Sequence, residues 1–148
     1  MDKELVKTNK NIQLTKLDKI SNEKGDIFHG LKASDSSFKK FGEAYFTTIH
    51  NNEIKGWKKH SAMTLNLIVP VGEVLFCIYD EILNKFYNYE IGENNYCRLT
   101  VNAGLWVAFE GKGDGLNLIL NIASIEHDPE ESINEPLNKF QFGKLSNK

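Results

Sequence analysis

The sequence predicts an all-β fold, a jelly-roll barrel of two antiparallel sheets with little helix. Three observations carry this. Short apolar or alternating runs recur about every ten residues, turn chemistry separates them, and no long stretch has the 3.6-residue period of a helix.

The elements follow in order. Residues 1–24 are polar and lysine-rich, and the alternation of Ile12, Leu14 and Leu17 predicts an edge strand ending a polar arm. Gly25–Asp35 holds a second short strand and a loop. Ala44–Ile49 is rich in aromatic and β-branched residues, His50-Asn51-Asn52 is a turn, and Ile54 resumes an extended pattern. Strands are then expected at Leu65–Val69, Glu73–Tyr79, Phe86–Ile91, Tyr96–Val101, Leu105–Phe109 and Leu116–Ala123. Val74, Phe76 and Ile78 suit one buried face, and Leu75, Cys77 and Tyr79 a second, packed on another sheet or subunit. Asp128-Pro129 carries the signal of a short helix. The expected division is an arm with its edge strand over 1–24, the jelly-roll domain over 25–131, and a polar tail over 132–148.

Composition bounds the function. A chain of 148 residues with 41% hydrophobic and 26% charged residues is an ordinary single globular domain. The net charge of −2 argues against nucleic acid as a partner. Arg98 is the single arginine, so almost all positive charge is lysine. Cys77 and Cys97 sit in apolar runs, as reduced buried thiols do. No apolar run reaches the roughly 18 residues of a membrane span, and "MDKELVKTNK" lacks the apolar stretch of a secretory leader. A cytoplasmic protein without a membrane partner is expected.

Little of the sequence suggests metal or nucleophilic chemistry. The histidines at 29, 50, 60 and 127 have no metal-ligand spacing. A Cys77 thiolate would be poorly solvated. Gly111, Gly113 and Gly115 form G-x-G-x-G with no helix after them, which reads as a hairpin. The exception is "IKGWKKHSAM", Ile54–Met63, in which Lys55, Lys58, Lys59 and His60 crowd the start of a buried run. This is either a solvated strand end or a site for an anionic ligand. Trp57, with Trp106 further along, offers rings on which a base stacks, and His60 is the natural proton carrier. Asn66 is a polar residue in an apolar run, hence a satisfied core amide or a ligand contact. Alternation places Lys58 and His60 on one face of the strand and Trp57 and Lys59 on the other, unless a bulge intervenes.

The segments "GDIFHGLK", "FGEAYFTTI", "IKGWKKHSAMTLNLIVPVGEVLFCIYDE", "LTVNAGLWVAFEG" and "LILNIASIEHDPEE", in that order, resemble the dTDP-4-dehydrorhamnose 3,5-epimerase family and related sugar-nucleotide cupins. The resemblance runs from about Gly25 to Glu131. It implies a cupin jelly roll, commonly a homodimer, that needs no metal or other cofactor and acts on a nucleotide-linked 4-keto-6-deoxy sugar in surface polysaccharide biosynthesis, lipopolysaccharide and dTDP-rhamnose included. The family's Arg-Gly-x-His reads Lys55-Gly56-Trp57-Lys58 here, so a lysine holds the base position and His60 follows two residues later. The family's acid tyrosine falls near Leu120 or Asn121, and its Pro-x-Gly-x-x-His reads Asn102-Ala103-Gly104-Leu105-Trp106-Val107. The C-terminal extension whose aspartate supports the base is shortened. Lys24-Gly25 stands where the family has an early Arg-Gly pair.

The candidate site is therefore His60 as base with Lys58 and Lys55 as electrostatic partners, or Lys58 itself as base, with Tyr45 returning the proton. Lys24, His29, Lys55, Trp57, Asn66, Trp106 and Asn121 are the expected substrate contacts. Two functions are open at this point: an epimerase or ketoisomerase, and a non-catalytic nucleotide-sugar or carbohydrate-binding cupin.

Overall fold

The structure is a computed structural model that describes residues 9–143. The outer parts of the arm and tail, residues 1–8 and 144–148, lie outside them. Among the described residues twelve strands run in chain order: β1 (Ile12–Lys16), β2 (Lys19–Ile20), β3 (Ile27–Phe28), β4 (Glu43–Thr48), β5 (Ile54–His60), β6 (Leu65–Val71), β7 (Glu73–Asp80), β8 (Lys85–Gly92), β9 (Cys97–Val101), β10 (Trp106–Gly111), β11 (Leu118–Ala123) and β12 (Ser132–Asn134). The first sheet has the order β1-β9-β6-β11-β4 and the second β12-β5-β10-β7-β8, with β2 and β3 forming a small hairpin beside them. Every strand pairing is antiparallel. This is the expected two-sheet jelly roll.

Alternation along the strands builds the core. Leu65, Leu67 and Val69 of β6, Val74, Phe76 and Ile78 of β7, and Leu99 and Val101 of β9 are buried between the sheets. Two-sided burial has two separate causes. Outside the first sheet, residues 30–38 lie over β6 and β9. Arg98 of β9 donates to the Gly30 carbonyl and to Ser37 Oγ at 3.1 Å, and pairs with Asp35 at 3.3 Å. Asn66 donates to the Ser37 carbonyl at 3.2 Å and accepts from Thr100 Oγ1 at 2.6 Å. Outside the second sheet, Cys77, Trp57, Trp106 and Ala108 are buried under Phe140 and Phe142. The second apolar face of β7 is thus covered by the chain's own C-terminal segment.

Two local expectations are corrected. The segment after Asp128 forms no helix. The Asp128 side chain does accept from the Glu130 amide at 3.0 Å, but one turn later the chain extends into β12, where Ser132 pairs with His60. The run Gly111–Gly115 is not a hairpin either, because β10 pairs with β5 and β7, while β11 pairs with β4 and β6. The segment crosses between sheets. Fully buried Asn117 fixes it, with Oδ1 accepting from the Glu73 and Gly113 amides and Nδ2 donating to the Ile49 carbonyl.

Arg98 is 2% exposed, and its removal leaves Asp35 and Ser37 without their charged partner. Arg98→Ala is expected to destabilise the fold by about 2–4 kcal/mol. Thermal unfolding checks this, and an unchanged midpoint would show that residues 30–38 hold without the guanidinium.

Candidate functional site

Between the sheets lies a cavity of about 310 Å³. The first sheet contributes Tyr45 and Thr47 from β4, Leu65 and Leu67 from β6, and Ile119 and Asn121 from β11. The second contributes Lys55, Gly56, Lys58 and His60 from β5, Phe76 from β7, Val107 and Phe109 from β10, and Asn134 from β12. Apolar side chains form much of the wall, and the polar groups cluster on β4, β5, β11 and β12.

Of the residues expected at the site, the structure brings together His60, Lys58, Tyr45, Lys55 and Asn121. Lys58 and His60 share a face by simple alternation. Lys55 is odd-numbered and by the same rule belongs outside, but a bulge intervenes. Across the β5–β10 ladder Lys58 faces Val107 and Lys55 faces Phe109, so Gly56 and Trp57 together oppose Ala108 alone. The extra residue turns Lys55 inward, where its ammonium donates to the Thr48 carbonyl at 2.8 Å. Gly56 has φ +150, and a Cβ there would collide with the Ala108 side chain, so the bulge requires glycine.

The other expected contacts lie elsewhere. Trp57 is fully buried on the outer face of β5, against Phe140 and Phe142, because alternation points it away from the cavity. Trp106 is likewise outside; its indole donates to Glu81 at 3.0 Å and its face meets the Lys59 ammonium at 5.1 Å. Asn66 is the satisfied amide of the layer under residues 30–38, again the outer face of its sheet. Lys24 is exposed in the turn joining β2 to β3, and exposed His29 follows β3, with its carbonyl accepting from Tyr96 at 2.8 Å. Neither lines the cavity.

One residue of the site was not anticipated. His60 Nδ1 lies 2.7 Å from Glu131 Oε1, and the two side chains are 13% and 7% exposed. Glu131 Oε2 accepts from the Ala62 and Met63 amides at 2.8 Å each. Burial by itself raises the Glu131 carboxyl, but the bonds from His60, Ala62 and Met63, with the nearby imidazole charge, outweigh it and hold the group below its ordinary value. The carboxylate therefore fixes both the ring plane and the tautomer: Nδ1 keeps its hydrogen toward Glu131, and Nε2 is left as the basic nitrogen. Seventy-one residues separate the pair, so the only signal in the sequence was an acidic pair, Glu130-Glu131, inside a segment that resembles the family.

On the opposite wall, Tyr45 pairs with Asn121 across β4 and β11, and Asn121 Nδ2 donates to Tyr45 Oη at 3.0 Å. Asn121 is itself fixed, its Oδ1 accepting from the backbone N–H of Asn66 at 3.0 Å. With Oη accepting from Asn121, the phenolic hydrogen is directed away from that partner. As for other chemistry, burial pushes the Cys77 thiol up to about 11, so it is no nucleophile near neutrality. No group of three or more metal-ligating side chains occurs among the described residues, and among them no helix is long and apolar enough to cross a membrane.

The lowered carboxyl has a measurable consequence. A group with a depressed folded-state value stabilises the fold above its unfolded value, and this is lost as the pH falls through the folded value. Glu131→Gln is expected to be about 1–2 kcal/mol less stable than the parent at pH 7, with the gap closing on acidification below the ordinary carboxylate range. Denaturant unfolding across that range checks it; a gap independent of pH would mean the carboxylate charge is not what stabilises this corner.

No protein-family model and no curated protein sequence matches the chain. Solved structures do. A dTDP-sugar isomerase from Desulfovibrio desulfuricans G20 is 31% identical, over 86% of this chain and 85% of that one, with a TM-score of 0.83. The sugar 3,4-ketoisomerase QdtA from Thermoanaerobacterium thermosaccharolyticum, solved in complex with TDP, has a TM-score of 0.72 at 19% identity, covering 83% of this chain and 87% of that one. The dTDP-4-dehydrorhamnose 3,5-epimerase from Sulfolobus tokodaii has a TM-score of 0.79 at 14% identity, over 92% and 83%. The last two share the fold; the first shares sequence across most of its length as well. A jelly roll with a histidine–carboxylate pair and lysines on its inner wall, matched at this identity, places the chain in the sugar-nucleotide epimerase and isomerase family of cupins.

Proposed function

We propose that this protein is an epimerase or ketoisomerase acting on a nucleotide-linked 4-keto-6-deoxy sugar, and that it works by removing and returning a proton beside the ketone. The observation that carries the reading is the His60–Glu131 pair, set in a cavity with two lysines. A histidine locked in one tautomer by a buried carboxylate is a general base with its acceptor nitrogen defined. Removing the carbon-bound hydrogen makes an enolate, and an ammonium group in the same cavity stabilises that charge. Lys58 stands next but one to His60 and takes this role. Lys55, nearer the start of the strand, meets the phosphates.

Tyr45 returns the proton. The family's tyrosine position falls near Leu120 or Asn121, and Asn121 holds the Tyr45 hydroxyl across the ladder. The phenol of Tyr45, on the neighbouring strand, is thus hydrogen-bonded to one of the two positions at which the family's tyrosine falls. Likewise Glu131 supplies the carboxylate that supports the base. The similarity to a dTDP-sugar isomerase favours a thymidine diphosphate sugar. A role in surface polysaccharide synthesis, a cytoplasmic site of action and a homodimer complete the proposal. The dimer is supported by exposed Phe46 on edge strand β4, 64% accessible, beside half-buried Leu120.

Incubation with a dTDP-linked 4-keto-6-deoxy hexose in deuterated water tests the activity. Deuterium is expected at a carbon next to the ketone, and His60→Asn is expected to slow exchange at least about 100-fold while leaving dTDP binding intact. Binding without exchange in the parent protein would mark a carrier in place of an enzyme. For the assembly, sedimentation at micromolar concentration is expected to give twice the 16.9 kDa of one chain; a monomer would end that part of the proposal.

A further inference from the structure

The outer face of β5 carries an anchor that the proposed chemistry does not use. Trp57 is 0% exposed. Its indole N–H points at two carbonyls of the C-terminal segment, Leu137 at 3.0 Å and Phe140 at 3.3 Å. The Phe140 ring meets it edge-on at 5.4 Å and the Phe142 ring at 6.3 Å. The backbone is tied at the same place, Trp57 N to the Glu135 carbonyl at 3.1 Å and Glu135 N to the Trp57 carbonyl at 3.0 Å. A surface strand needs none of this. The anchor falls on one of the two bulge residues, and the bulge decides which way Lys55 points.

Register shows what depends on it. In a ladder without the extra residue, Gly56 would oppose Phe109 and face the cavity, and Lys55 would oppose Glu110 and face outward. In the structure Lys55 opposes Phe109 and lines the cavity with Lys58 and His60. An extra residue in a strand is costly to keep, since it disrupts the local ladder. Here two things hold it: the space at Gly56 that only glycine fills, and the burial and two indole contacts of Trp57 on the far side.

We infer that Trp57, clamped from outside by the C-terminal segment Leu137–Phe142, is a positioning residue that holds the β5 bulge and thereby keeps the Lys55 ammonium in the cavity for the anionic part of the ligand. The ligand half of this rests on the function proposed above; the geometric half does not. Among the described residues none past Asn134 lines the cavity, so the C-terminal segment acts on recognition through the indole.

The test is a double-mutant cycle read by dTDP titration and by steady-state kinetics. Lys55→Ala and Trp57→Phe are each expected to weaken dTDP binding about tenfold. Trp57→Phe should raise KM with kcat within about twofold of the parent, because His60 and Glu131 are tied independently of the indole. In the Lys55→Ala background, Trp57→Phe should have no further effect on affinity. A merely structural tryptophan would lower kcat as well and act equally in both backgrounds, and that result overturns the inference. Phe140→Ala, which loosens the clamp without touching β5, is expected to reproduce the Trp57→Phe phenotype; parent-like affinity in it would also count against the clamp. Should the parent not bind dTDP, the functional reading fails, and the crystal structure of Trp57→Phe then decides the geometric half. Lys55 turned outward supports it, and Lys55 still bonded to the Thr48 carbonyl overturns it.

Discussion

The structure turns on one constraint: strand β5 must seat Trp57 in the outer layer of its sheet while Lys58 and His60 line the cavity, with Lys59 paired to Glu81 outside and exposed Lys55 at the cavity's edge. What holds its inner side in place is a carboxylate delivered just before β12. Glu131 accepts from two backbone amides just past β5 and from the His60 ring, so one buried carboxylate both fixes the imidazole and ties down the end of the strand. Because β12 follows at once and pairs with β5, the residue that fixes the imidazole also docks the C-terminal segment.

That docking links recognition to architecture. The segment beyond β12 covers Cys77, Trp57 and Trp106, which would otherwise leave the second sheet with a bare apolar face. Residues 30–38 do the same for the first sheet, though by polar means, through Arg98, Asn66 and Ser37. Each sheet is therefore a layer between the cavity and a covering segment of the same chain. This is why strands such as β7 are apolar on alternate residues in both phases.

The sequence made most of this fold legible, because period-two patterning and turn residues are local signals. The phase of Lys58 and His60 was legible for the same reason. What alternation could not give was Lys55, since the bulge that re-aims it leaves no mark beyond a glycine. Glu131 was hidden by distance along the chain. Trp57 and Trp106 were misassigned through composition: an aromatic beside lysines resembles a stacking platform, yet strand parity turns both rings to the outside, where they pack and hydrogen-bond as core residues do. Asn66 followed the same logic, its amide satisfied by Ser37 and Thr100. Lys24 was placed by resemblance to a short motif, and in the structure that motif is the turn of a surface hairpin.

Arg98 bears on how selective the cavity is. The chain's one guanidinium is committed to the outside of the first sheet, holding a loop. The cavity is left with ammonium groups and an imidazole. A guanidinium reads an anion's shape, since its planar fork meets two oxygens at once, whereas an ammonium on a flexible stem reads only the presence of negative charge. Orientation of a bound ligand must then come from the groups that do not swing: the Asn121-held phenol, the carboxylate-held imidazole, and the apolar side chains of β6, β7 and β10. On the proposed function, attraction and alignment are in this way divided between different residues, the lysines supplying charge and the fixed groups supplying pose.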